Sequence, residues 1–197
     1  NNGNTTTSRT GSGNGVLTWT AGTIEATNLV RVGVQAVNNA GNATGVLNVQ
    51  SNAVLNVTGP TFNLGNDAGS AAGTGNGTLN IAYGGVVAAA GDIAEVSGTG
   101  ADGTSTINLT DGTLSAGGLV RVDNLTADNS VLSLTAGPAI NTDNPVCDVA
   151  NLTLLTSLTL NVTGSVAVAQ YPLIRYQGSI GGGGYGVGGR GGFGAGG

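Results

Sequence analysis

The side chains able to do chemistry in this chain are ten acids, five arginines and one cysteine, Cys147; histidine and lysine are absent. Without imidazole there is no ordinary general base near neutral pH and no His-bearing metal site. Without lysine there is no Schiff base and no phosphate-gripping amine. Catalysis would fall to paired carboxylates, as in glycoside cleavage, and those must converge in a cleft. The acids are scattered along the chain, and Asp67, Asp102 and Asp111 fall in turn-forming stretches, where carboxylates bond to nearby backbone. The expectation is a non-enzymatic chain with no cofactor and no metal; a β-helical polysaccharide-active enzyme is the weakest alternative.

Other motifs reduce to turns or repeats. Gly98-Thr-Gly100-Ala-Asp102 matches half of a calcium-binding nonapeptide, a motif that works only in tandem copies, so a plain turn is the simpler reading. The Gly-rich C-terminal stretch lacks the Gly-Lys-Ser/Thr ending of a phosphate loop. Asn-x-Thr acceptor triplets begin at Asn4, Asn42, Asn56, Asn76, Asn108, Asn124, Asn151 and Asn161. Most are written by a repeating strand pattern. Asn42 and Asn76, expected at corners, are the candidate glycosylation sites. Cys147 has no internal partner, so no disulfide holds the fold, and a free thiol is expected inside.

The rest of the composition says what must position these groups. Charged residues make up 8% of the chain and aromatic residues 4%, with 38 glycines. The usual helix-building set is thin, whereas Thr, Val and Ile favour strands and Asn, Gly and Asp favour tight turns. A net charge of -5 without lysine leaves no basic patch, which excludes nucleic acid as the expected partner. The longest apolar runs, such as Val86 to Ala90, are too short to span a bilayer. No signal peptide is visible and the chain begins at Asn1; the composition favours a mature, exported form, extracellular or on a cell surface.

Internal repetition decides the architecture. The pattern Leu-x-apolar-x-x-Gly-x-apolar begins at Leu17, Leu47, Leu79, Ile107, Leu132 and Leu160, at spacings of about 25 to 32 residues. A second column follows each first strand: Val30-Arg31-Val32, Phe62-Asn63-Leu64, Ala94-Glu95-Val96, Val120-Arg121-Val122, Cys147-Asp148-Val149 and Ile174-Arg175-Tyr176. Strict alternation marks strands with one buried face. A shorter strand lies between the two, as in Val86 to Ala90 or Thr113 to Ala116. Three short strands cannot bury their own apolar face, but stacking on the next repeat closes a core. The predicted fold is an all-β parallel β-helix, a solenoid of about six rungs with three strands each. Its expected interior columns are Leu17, Leu47, Leu79, Ile107, Leu132, Leu160 and Val30, Phe62, Ala94, Val120, Cys147, Ile174. Its outward column reads Arg31, Asn63, Glu95, Arg121, Asp148, Arg175, a ladder of alternating charge expected to set register.

Gly77-Thr-Leu-Asn-Ile-Ala-Tyr-Gly-Gly-Val-Val87, Thr106-Ile-Asn-Leu-Thr-Asp-Gly-Thr-Leu-Ser115 and Leu158-Thr-Leu-Asn-Val-Thr-Gly-Ser-Val, with Tyr171-Pro-Leu-Ile-Arg-Tyr-Gln-Gly178, resemble autotransporter-associated β-strand repeats. The resemblance covers roughly residues 15 to 180. It implies a right-handed β-helical, passenger-like region exported by a bacterium with an outer membrane and used in adhesion, matrix or display. The chain departs from that family in being short and in lacking a terminal membrane barrel, which puts self-anchoring in doubt.

The chain divides into a polar arm (1–14), the solenoid (15–180) and a Gly-rich tail (181–197). Ordering Gly-rich chain costs much entropy and needs a partner surface, so the tail is expected to dock on a neighbouring copy through Tyr185, Val187, Arg190 and Phe193. A stack of six rungs is only about 29 Å long and has two unpaired ends. The function read from the sequence is a structural subunit of an extracellular filament, sheath or matrix whose partners are copies of itself. The alternative is an adhesin fragment that binds glycans or a host surface.

Overall fold

The computed structural model describes residues 12–35, 41–65, 73–96, 103–137, 144–164, 173–177 and 180–181. Among them there is no helix, hence none long and apolar enough to cross a membrane. Every strand pairs in parallel with the strand one repeat away, and the chain coils into a β-solenoid with three faces. The first face carries 13–19, 43–50, Gly75–Ala82, Thr104–Thr110, 124–128 and 151–154. The second carries 21–26, 53–57, Val86–Ala89, Thr113–Ala116, Ser130–Ala136 and Leu158–Gly164. The third carries Val30–Val32, Thr61–Leu64, Asp92–Ala94, 120–122, 147–149 and Ile174–Tyr176. These registers define six levels, and Ile180–Gly181 starts a seventh on the first face by pairing with Leu152 and Thr153.

The core is built of stacked apolar columns, and one on each face traces the register through all six levels. They run Leu17–Leu47–Leu79–Ile107–Leu125–Leu152 on the first face and Ile24–Leu55–Val87–Leu114–Leu132–Leu160 on the second. On the third they run Val30–Phe62–Ile93–Val120–Cys147–Ile174. Burial alternates along the strands of levels two to five, as a half-buried strand requires. Val120 and Val122 are buried while Arg121 points outward.

Three positions of the expected columns are corrected. Leu132 and Leu160 belong to the second face, and the first-face column continues through Leu125 and Leu152. The phrase Leu-x-apolar-x-x-Gly misleads because it suits any strand that ends at a glycine corner. In levels one, three and four that strand lies on the first face; in level five the glycine-terminated strand is on the second. The level-five first-face strand, Asn124 to Asp128, has no glycine and is continuous with the third-face strand before it. Likewise Ile93, not Ala94, fills the third-face column between Phe62 and Val120. An alanine there would leave a void between two larger side chains, and voids forfeit packing.

The corners change with height. In the first three levels the chain leaves the third face and returns to the first through residues 33–42, 65–74 and 95–103. At the next two levels the passage is direct, through Asp123 and Ala150, and the longer connections move to 137–146 and 165–173 between the second and third faces. Glycines mark where the early connections cross the first face. A Cβ on Gly77 would lie 2.3 Å from the Gly65 nitrogen and 2.4 Å from the Val32 oxygen, and one on Gly45 would lie 2.2 Å from the Gly33 nitrogen.

Candidate assembly surfaces and polar columns

Outward columns hold level to level by side-chain bonds. On the first face Asn48 donates to Thr18 Oγ1 (2.9 Å), Asn80 to Asn48 Oδ1 (2.7 Å) and Asn108 to Asn80 Oδ1 (2.8 Å). A parallel stack places identical residues one strand spacing apart, and an amide can then donate to one neighbour and accept from the other. On the second face Asn56 donates to Glu25 Oε1 at 2.6 Å. These amides follow from the repeat, yet their mutual bonding becomes visible only once register is known.

Charge gathers on the third face, where the outward column is Arg31, Asn63, Ala94, Arg121, Asp148 and Arg175. Glu95 is therefore corrected out of the ladder: Ala94 occupies its place beside Arg121. Arg175 grips Asp148 with a fork, Nε to Oδ1 at 3.0 Å and Nη2 to Oδ2 at 2.5 Å. Arg121, although in register with Asp148, donates to Asn144 Oδ1. The fork is partly exposed, so its contribution is discounted to about 0–1 kcal/mol.

Glu95 does something else. With Asp123 it converges on Ser105, a fully buried residue that follows Gly45 and Gly77 in their inward column. Ser105 Oγ lies 3.2 Å from Glu95 Oε2 and 3.1 Å from Asp123 Oδ2 and accepts the Asp123 N–H at 2.8 Å; the Ser105 N–H donates to Asp123 Oδ2 at 2.8 Å. Here a side chain occupies the place that glycine holds at the lower levels, and Glu95 and Asp123 close over it. The two acids are 28 residues apart in sequence and one level apart in space, which is why a linear reading sees them as scattered. They border a shallow depression of about 370 Å³ lined also by Arg121, Asp148 and Gln177. Both carboxylates bond to the same hydroxyl, which makes them a corner clamp. Among the described residues no group of His, Cys, Asp or Glu could hold a metal ion.

Cys147 is buried in the third-face column, and burial, with the Asp148 charge adding to it, pushes its thiol up to about 12. It remains a protonated, unreactive packing residue at ordinary pH.

The ends differ from the middle. At the first level Val16 is 71% and Leu17 53% exposed, and a hollow of about 470 Å³ opens among Gly15, Leu17, Val32, Val34, Gly45 and Leu47. At the last level Leu155 is 49% and Val162 42% exposed. Leu17 continues the column of Leu47 and Val162 that of Leu134, so columns that are dry in the interior reach solvent at both ends, while Val16 and Leu155 lie outside them.

The remaining candidates fall as follows. Asn42 is an exposed corner residue whose Oδ1 accepts the Thr74 N–H at 3.0 Å. Asn76 is corrected: it lies half-buried within the strand Gly75–Ala82, between Thr44 and Thr104, and not on a corner. Asp111 does occupy a corner, with a left-handed backbone. Tyr185, Val187, Arg190 and Phe193 lie outside the described residues, as do Asp67, Asp102 and the stretch 98–102. No family model, no curated protein and no solved structure matches this chain.

Proposed function

We propose that this chain is a non-enzymatic structural subunit of an extracellular filament, sheath or matrix, and that it associates with copies of itself through the ends of the stack and the terminal arms. The observation that carries this reading is the exposure of core columns at both ends, with Leu17 at one and Val162 at the other. Ends that present strand edges and apolar side chains favour strand addition. The C-terminal end already receives one added strand, since Ile180–Gly181 opens a new level against Leu152 and Thr153. A head-to-tail contact repeated without closure gives a filament. The commitment of Glu95 and Asp123 to Ser105 supports a structural role for this convergent acid pair. The low charge and the resemblance to autotransporter-associated repeats support export.

Electron microscopy of the purified protein tests the reading. Regular filaments are expected, and deletion of residues 181–197 should impair them while β-type circular dichroism persists. A monomer at every concentration in sedimentation would overturn it.

A further inference from the structure

The corner between the first and second faces is built from residues with left-handed backbone at successive levels: Ser51 (φ 58°), Tyr83 (φ 53°), Asp111 (φ 51°) and Asn129 (φ 45°). All four are exposed and form one ridge. Asn and Asp tolerate this conformation because of their short polar side chains, and here Asn129 also donates to Asp111 Oδ1 of the neighbouring level at 2.6 Å. A bulky aromatic does not, and its presence at positive φ is an outlier. The corner explains the conformation but not the choice of tyrosine. Nor does packing explain it: the Tyr83 side chain is 68% exposed, and its hydroxyl makes no hydrogen bond among the described residues. The backbone does the corner's work, with Tyr83 N–H donating to Thr110 O at 2.9 Å and Gly84 N–H to Asp111 O at 2.6 Å.

A strained residue retained where a cheaper one would serve points to a use for its side chain. We propose that Tyr83 is the contact residue of a neutral glycan site on this ridge. The phenol ring offers a rigid apolar face with a polar tip, suited to the C–H face of a pyranose. Asp111, one level away at about 4.8 Å, has Oδ1 taken by the Asn129 amide and offers Oδ2 to a sugar hydroxyl, while Asn129, itself bonded to Ser157, orients that carboxylate. A sugar ring is about as long as the level spacing, so a chain of sugars laid along the solenoid axis meets the Tyr83 ring and then the Asp111 carboxylate. The site is independent of the stack ends and of the assembly reading.

The test uses the full chain titrated calorimetrically with four neutral hexasaccharides (cello-, chito-, xylo- and maltohexaose), alongside thermal unfolding. The wild type is expected to bind at least one. Tyr83→Phe should retain that binding, and Tyr83→Asn should weaken it about ten-fold or more. Tyr83→Asn should at the same time leave the unfolding midpoint unchanged or raised, because asparagine relieves the strained backbone. That combination separates a contact residue from a structural one. Binding by none of the four sugars, undiminished binding by Tyr83→Asn, or a lowered midpoint in Tyr83→Asn would each overturn the proposal.

Discussion

The lower and upper halves of the solenoid bury the same kinds of columns but turn their corners differently. In levels one to three the chain loops out between the third and first faces and recrosses the first face over Gly45 and Gly77. On leaving levels four and five it passes that corner through single residues, and its long connections, 137–146 and 165–173, lie on the opposite side. Between the two regimes lies Ser105, with Glu95 below and Asp123 above. The contrast teaches that register in this fold is held by inward columns and not by the corners. A corner can move round the coil provided that Leu125 still lands on Ile107 and Leu132 on Leu114.

A glycine crossed by a lower connection and one that opens an upper connection should therefore respond differently to the same substitution. Gly77→Ala drives a Cβ into three backbone atoms closer than 3.0 Å and should destabilise by about 3 kcal/mol or more. Gly137→Ala, with nothing within 4 Å of the added carbon, should stay within about 0.5 kcal/mol of the wild type. Urea unfolding of both variants measures the difference, and equal effects would remove the steric account of the lower corners. Along the columns, Leu132→Ala should cost about 2–5 kcal/mol, because the residue is fully buried. Leu17→Ala, at the half-exposed first level, should cost less than about 1 kcal/mol.

At the junction of the regimes, Ser105→Ala leaves the Asp123 N–H and two carboxylates short of a partner and should cost about 1–3 kcal/mol in the same assay. A neutral outcome would make the clamp incidental. The smallest effect is expected on the charged face. Ala94→Glu places an acid beside Arg121 in the outward column and should stabilise by about 0.2–1 kcal/mol at low salt, with the gain fading as salt is added.

Much of this fold was legible in the sequence because alternation and repetition are local signals. The strands around Leu47, Leu79, Ile107, Phe62 and Val120, the inward Cys147 and the outward Arg121 all follow from residue type at period two. The level-five assignment did not, because Leu132-Ser-Leu-Thr-Ala-Gly carries the same signal as a first-face strand, and only pairing distinguishes the faces. Glu95 illustrates a second limit: Ile93 and Ala94 are both apolar, so parity in that stretch is settled by the volume between Phe62 and Val120. The clamp on Ser105 and the strain at Tyr83 depend on neighbours one level away, which no linear spacing reveals.

The central claim is the stacking order through the change of corner, and cross-linking tests it most directly. Parallel partners lie about 4.8 Å apart, within disulfide reach. Asn108→Cys with Thr126→Cys should oxidise readily to an intramolecular disulfide, since these residues are direct neighbours on the first face. Asn108→Cys with Ser133→Cys should not, since Ser133 pairs with Ser115 and Asn161 on the second face. Rapid closure of the second pair and failure of the first would contradict the account.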